Sequence, residues 1–478
     1  MTILKAKDFD AYWKSLHAAT LPQGAPATAS VAGPATAVSA TAAAATQADP
    51  MAGSAAGSAI STETGPAAGS AVLDSAVHNI IEKVRTGGDQ ALRDLAARFD
   101  RSSPEQLEVP MAAARRALED LEAKDPDLVA ALRLAADHIR DFAALQKKQF
   151  TDFEVELEPG LVTGQRCIPV ERAAVYVPAG RFPLISTVLM GVIPARVATV
   201  DEVILLSPPL EDGLPDLRIL AAAVLAGVDR IFAVGGAQAI AAAAFGTESV
   251  PRCDVIVGPG NKYVAAAKRL LFGQVGIDFV AGPTDVLIIA DAGASADLIA
   301  ADMLAQAEHD PDARSRVLLP NDALARAVQA DLERRLNQLG TAATARASLD
   351  AGGLIIIYET LEDAIQIANT IAPEHLELHL AEPDTIVHKL RNYGSLFVGH
   401  LAAEVLGDYS AGINHTLPTS GTARFTGGLS VRHFIKTVTS LRCKSTPAYE
   451  ASRRAAAIIA RAEGLEAHRQ SAESRDFR

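Results

Sequence analysis

The sequence predicts an α/β protein whose parallel sheets are covered by helices on both faces. Three observations carry this. Short apolar runs recur between residues 173 and 291: Ala174-Val-Tyr-Val177, Val203-Ile-Leu-Leu206, Arg230-Ile-Phe-Ala-Val234, Val255-Ile-Val257 and Val286-Leu-Ile-Ile-Ala290. Gly/Pro turns and Ala-rich stretches of helical length separate them. The alternation resumes at Arg316-Val-Leu-Leu319, Gly353-Leu-Ile-Ile-Ile357 and Ser395-Leu-Phe-Val398, which makes a second unit. Strands buried on both faces read as continuous apolar runs because helices cover each side of the sheet.

The remaining segments follow in order. Residues 1–21 carry the only tryptophan, Trp13, and are expected to dock on another surface. Residues 22–71 are Ala, Gly, Ser, Thr and Pro with almost no large side chains. Such a tract buries too little apolar surface to offset its chain entropy, so a disordered linker is expected. Residues 72–148 read helical, with Leu73, Val77, Ile80, Ile81 and Val84 recurring on one face. The end, 449–468, is a helix rich in Ala and Arg. No repeat of fixed period stands out.

Composition narrows the function class. The 478 residues are 49% hydrophobic and 21% charged, the balance of a soluble globular enzyme. A net charge of -13 argues against nucleic acid or an anionic membrane as the main partner, since both call for a basic face. Cys167, Cys253 and Cys443 are odd in number and far apart, without a CxxC. That supports neither a disulfide framework nor a zinc knuckle, and points to the cytoplasm. No apolar run has the length of a membrane span. The first residues lack the apolar stretch of a signal peptide, and the Ala/Ser/Thr tract lacks the arginines of a transit peptide.

Chemistry-bearing residues cluster beside apolar segments, where such groups are costly to bury unless paired or bound to metal. Gln306 and His309 lie one helical turn apart, a spacing that suits two ligands to one ion; a capped helix end gives the same spacing. Glu374 and His375 follow Pro373, and on an irregular turn they can bracket a reacting group; an acidic helix start is the plainer reading. Asp408 follows Gly407 shortly after the strand ending at Val398, and Asn414-His415 extends that loop. A short acid at a strand's carboxyl end is well placed for a site, and an Asx-turn explains it equally. Turns at Tyr176, at Gly235-Gly-Ala-Gln238 and at Gly258-Pro-Gly-Asn261 each follow a strand. Such turns let backbone N–H groups approach a phosphate or sugar, although none is a GxGxxG. Glu463 and His468 share no helix face and read as a solvated helix.

Together these strings resemble the histidinol dehydrogenase family. The matching segments are VGGAQAIAA (234–242), VGPGNKYVAAAKR (257–269), AGPTDVLIIAD (281–291), QAEHDPDA (306–313), IAPEHLEL (371–378), GDYSAGINHTLPT (407–419) and EGLEAH (463–468). The resemblance implies two Rossmann-like parallel-sheet domains, one inserted in the other, with small terminal helical appendages. It implies a first domain, 72–175 plus 284–429, carrying metal and catalytic residues, and a cofactor-side domain, 176–283. It further implies an N-terminal dimerisation segment, 1–21, and a dimer-exchanging tail, 430–478.

It also implies oxidation of L-histidinol to L-histidine with NAD and one Zn2+ per subunit. Metal ligands would be Gln306, His309, Asp408 and His468, and these also meet the substrate. Glu374 and His375 would be the catalytic bases, with His375 touching substrate. Thr284, His415 and Glu463 would complete the substrate site. Tyr176, Gln238 and Asn261 would bind the dinucleotide. A homodimer would share its active sites. The turn from Tyr176 to Arg181-Phe182 departs from the family's usual small residues. A related branch that oxidises other small alcohols, including a sulfonated diol, carries Arg and an aromatic there. That branch stands as the alternative substrate reading, and a non-catalytic metal-binding protein stands as a third.

Overall fold

The alternating strands and helices assemble into two six-stranded sheets in the computed structural model, which describes residues 1–18, 66–100, 102–179, 182–444 and 449–475. The first sheet runs Thr2–Lys5, Leu354–Ile357, Arg314–Leu319, Asp285–Ala290, His375–His379, Ser395–Val398, and all its pairs are parallel. Side chains alternate across it as the pleat requires. Val286 and Ile288 enter one core layer with Met303 and Leu304. Leu287 and Ile289 enter the other with Ile365 and Ile371.

The second sheet runs Glu108–Val109, Arg230–Ala233, Glu202–Ser207, Arg172–Tyr176, Val255–Val257, Gly276–Ile277. Its pairs are parallel except for the first, which is antiparallel. The direction of winding reverses between Arg172–Tyr176 and Val255–Val257 here, and between Asp285–Ala290 and His375–His379 in the first sheet. A small antiparallel sheet joins Phe153–Glu158, Leu161–Pro169 and Ile435–Cys443.

The insertion of one unit in the other holds, but its limits differ from 72–175 plus 284–429 around 176–283. Helix Pro66–Phe99 buries Val77, Ile81 and Val84 against Ala237, Ile240 and Ala241 of the second unit. Helices Met111–Lys124 and Pro126–Lys147 pack there too, with Ala173 and Val175. The helices between 66 and 147 and the described elements between 172 and 277 therefore belong with the second sheet. An apolar stripe shows that a helix buries one face; it does not name the sheet that receives it. The helix also begins at Pro66, inside the stretch assigned to the linker. The rest of that linker, with Arg181, lies outside the described residues.

The termini are less separate than expected. Thr2–Lys5 pairs with Leu354–Ile357 as an edge strand of the first sheet. Phe9 is buried in the same core, Trp13 stacks on it at 5.4 Å, and the Arg316 guanidinium sits over the Trp13 ring. The N-terminal segment thus docks on its own chain. In the tail, Val431 and Phe434 enter the second unit's core, and Ile435–Cys443 continues as a strand. Helices Glu450–Ala462 and Glu466–Glu473 then pack on each other. Among the described residues, no helix is long and apolar enough to cross a membrane.

Candidate active site

Two cavities lie close together. The larger, about 820 Å3, opens at the carboxyl ends of the second sheet's strands. It is lined by Tyr176, Pro208, Gln238 and Asn261, and by Leu95, Phe99 and Asp100 from the helix over them. Its turns are held locally. Gly236 has φ +66°, a left-handed value that disfavours a side chain, and its N–H donates to the Tyr176 hydroxyl at 3.1 Å. Asn261 caps helix Lys262–Leu271, its Oδ1 accepting from the N–H groups of Tyr263 and Val264. Gln238 donates to Asp100 at 3.4 Å, and burial pushes the Asp100 carboxyl up to about 6. Tyr176, Gln238 and Asn261 thus share one cleft.

The smaller cavity, about 170 Å3, lies at the amino ends of the first sheet's strands. Thr284 directly precedes Asp285–Ala290, and Glu374 directly precedes His375–His379. Ala372 turns the preceding helix off at φ +52°, which aims Glu374 inward. Glu374 accepts from the Thr284 hydroxyl and from the Asp285 N–H, while its own N–H donates to Asp285 Oδ1. Arg316 neutralises Asp285 from behind. Burial still holds the Glu374 carboxyl well above its ordinary value, although the Thr284 bond opposes this.

Asp408 arrives by a different route from the one expected. Gly407-Asp-Tyr409 is neither a carboxyl-end loop nor an Asx-turn. It ends the short helix Glu404–Tyr409, which runs back from the carboxyl end of Ser395–Val398 to the amino-end pocket. Asp408 Oδ1 stands 3.7 Å from His375 Nε2. Burial raises the Asp408 carboxyl to about 7 and drops His375 to about 3. His375 is therefore a neutral imidazole at ordinary pH, and its buried Nε2 has no hydrogen-bond partner.

Gln306 is fully buried near the end of helix Ala296–Ala307, and His309 lies just beyond it. The Gln306 amide reaches Thr284 Oγ1 at 2.7 Å; turned over, its nitrogen donates to Glu404 Oε1 at 2.8 Å. His309 is open to solvent on one side, yet enough protein crowds it for burial to lower its pKa. His415 is fixed at both nitrogens. Nδ1 meets the Asp408 carbonyl at 3.1 Å, which can only accept, so Nε2 accepts from Thr187 at 3.2 Å. Burial lowers His415 to about 4. Thr187 and Pro259 come from the second unit, so the pocket sits between the two units.

The structure thus brings Thr284, Gln306, His309, Glu374, His375, Asp408 and His415 together. It does not bring Glu463 or His468, which are exposed on the C-terminal hairpin and line neither cavity. Sequence reading missed Glu404, Glu377, His379 and Asp302. Strand His375–His379 places His375, Glu377 and His379 on one face and Leu376 and Leu378 on the other, all buried. Polar residues at period two inside an apolar strand were the available signal. Glu377 accepts the Glu404 N–H at 2.9 Å, and His379 bridges Glu377 and Asp302 at 3.3 and 3.4 Å. Burial alone would lower His379, but those two carboxylates raise it to about 9.

A divalent cation fits this donor set. Glu374, Glu404 and Asp408 put acid groups close together with their pKa values raised, as expected where no neighbouring cation offsets them. Ligand atoms of His375, Glu404 and Asp408 also lie within 4.8 Å of one another.

Fold and site define an α/β enzyme with a proton-handling pocket beside a ligand-sized cleft. The family model for histidinol dehydrogenase matches residues 65–476. Histidinol dehydrogenase of Thermus thermophilus is 48% identical over 404 residues, covering 84% of this chain and 94% of that one. The same enzyme of Methylococcus capsulatus is 46% identical, covering 84% and 91%. A crystal structure of histidinol dehydrogenase from Elizabethkingia anophelis superposes with a TM-score of 0.80 at 34% identity, covering 84% of this chain and 92% of that one. The chain belongs to the histidinol dehydrogenase family and is an oxidoreductase acting on a small molecule.

Proposed function

We propose that the chain oxidises L-histidinol to L-histidine through histidinal, the last steps of histidine biosynthesis, with NAD and one zinc ion per subunit. The observation that carries this is the convergence of Thr284, Glu374, His375, His309 and Asp408 on one small pocket. The pocket and the Tyr176–Gln238–Asn261 cleft share the loop that holds Pro259 and Asn261. The relatives named above bear the same activity in their names.

His375 takes the alcohol proton at Nε2, the atom left without a partner. Bound NAD supplies the hydride acceptor, and the product of this step is the aldehyde. Glu374, held by Thr284 and the Asp285 N–H, then draws a proton from water as the water adds to the aldehyde. His375, its first proton released to solvent, takes a proton from the resulting hydrate as the second hydride passes to a second NAD. Gln306, His309 and Asp408 would hold zinc, with His468 delivered by a second copy. Zinc, when bound, supplies positive charge that orients the substrate and offsets developing negative charge. The homodimer and a cytoplasmic location belong to this proposal. The unpaired Cys167, Cys253 and Cys443 support a reducing compartment.

The sulfonated-diol alternative fares worse. The described residues lining the pocket include no Lys or Arg to pair with a sulfonate. Purified, zinc-loaded protein is expected to form two NADH per histidinol and none with dihydroxypropanesulfonate. No NADH with histidinol would sink the reading.

A further inference from the structure

The two cavities meet at the loop of residues 257–261. Pro259 lines the catalytic pocket and Asn261 lines the large cleft. Gly258, directly before Pro259, has φ +113°, and a Cβ there would lie 2.1 Å from the Tyr176 carbonyl oxygen. The loop is therefore pressed against the end of the second sheet's central strand.

Two buried charges grip this glycine from behind. Lys268 Nζ donates to the Gly258 carbonyl at 2.9 Å, and Asp278 Oδ2 accepts the Gly258 N–H at 2.8 Å. Lys268 and Asp278 form an ion pair with each other, with side chains 3% and 0% exposed. Asp278 Oδ1 also accepts the N–H of Phe279, whose side chain lines the catalytic pocket. One ion pair thus ties together both backbone groups of Gly258, at the root of the loop that reaches both cavities, and the N–H of Phe279 in the wall of the catalytic pocket. Stability explains it poorly, because apolar residues in place of a buried ion pair are often as stable or more so. The reaction outlined above uses neither group.

We propose that Lys268 and Asp278 are positioning residues. Their ion pair locks both backbone groups of Gly258 and thereby sets the distance between the dinucleotide cleft and the reacting carbon. The proposal rests on reading the large cleft as the NAD site. Misplacing reacting groups by about 1 Å can cost about a hundredfold in rate.

The test uses full-length, zinc-loaded protein carrying Lys268→Met with Asp278→Asn, which removes both charges and keeps an oxygen acceptor for Gly258. The double variant is expected to melt near the wild-type temperature and to keep its zinc and its KM for histidinol. Its KM for NAD should rise about tenfold or more and its kcat should fall at least as far. A folded double variant with both constants within about twofold of wild type overturns the proposal. If the double variant does not fold, Asp278→Asn alone carries the test, judged by the same two constants. Fluorescence titration with NADH separates the two readings. A wild type that binds no NADH sinks the cofactor assignment and this proposal with it. A wild type that binds NADH beside a variant unchanged in NADH affinity and in kcat sinks the clamp alone.

Discussion

The two sheets are wound alike but use opposite ends. The second sheet follows the usual rule for open α/β sheets: its cavity lies at the carboxyl ends of the strands, beside the point where the winding reverses. The first sheet puts its pocket at the amino ends. Its carboxyl-end crevice is occupied by its own groups. Asp291 accepts the N–H groups of Gly293 and Ala381, and Tyr358 donates to the Ala290 carbonyl. The lesson is chemical. Helix N-termini and glycine turns at carboxyl ends offer N–H donors suited to phosphates. The amino-end pocket offers carboxylates and imidazoles, which suit proton transfer and a cation.

Four experiments break or sharpen this contrast. The largest effect is expected at the amino-end pocket. His375→Asn should lower kcat by about 10²–10⁴-fold. Glu374→Gln should slow oxidation of histidinal more than that of histidinol. Single-turnover NADH formation with each substrate checks both, and near-normal rates would move the chemistry elsewhere. Next comes Asp408→Ala, which should lose zinc on dialysis and activity with it. Metal content per chain, set against wild type, decides.

In the carboxyl-end cleft, Gly236→Ala should act on NAD alone. Its left-handed backbone would be strained by about 1–3 kcal/mol, and the new Cβ would press on Gln238 Oε1. KM for NAD should rise while zinc content and KM for histidinol stay put. Equal damage to both substrates would show that the cavities are not separable in this way.

The smallest effect concerns His379. Its folded pKa of about 9 lies above its ordinary 6.5. The stabilisation this brings is complete below about pH 6.5 and is lost as pH rises through about 9. Wild type should therefore lose melting temperature across that window relative to His379→Gln, by a few degrees at most in a chain of this size. Parallel melting curves would remove the ion-pair account of Asp302, His379 and Glu377.

How much was legible follows the same division. Strand–turn–helix signals marked the turns at Tyr176, Gln238 and Asn261 one by one, because glycine turns and apolar runs are local features; only the family resemblance grouped them in one site. The pocket residues Glu374, His375 and Asp408 were visible as polar groups beside apolar runs, but their meeting depends on chain reversal. Nothing in Gly407-Asp408 announces that helix Glu404–Tyr409 doubles back. Glu404 follows Ala402-Ala403 with no local mark of burial, and only the fold buries it beside His375. The limits 72–175 plus 284–429 came from the resemblance, and the stripe Val77–Ile81–Val84 could not correct them, because it fits any Ala-rich helix surface. Glu463 and His468 lie exposed and apart from both cavities, and only the resemblance had put them in the site.

The edge pairing of Thr2–Lys5 with Leu354–Ile357 has a consequence for biogenesis. Thr2–Lys5 waits for a mate made long after it. The second unit waits longer still, because Val431 and Phe434 of its core and the strand Ile435–Cys443 come after the first sheet's last strand, Ser395–Val398. Neither unit is complete before the chain has passed through the other, so the two finish folding together.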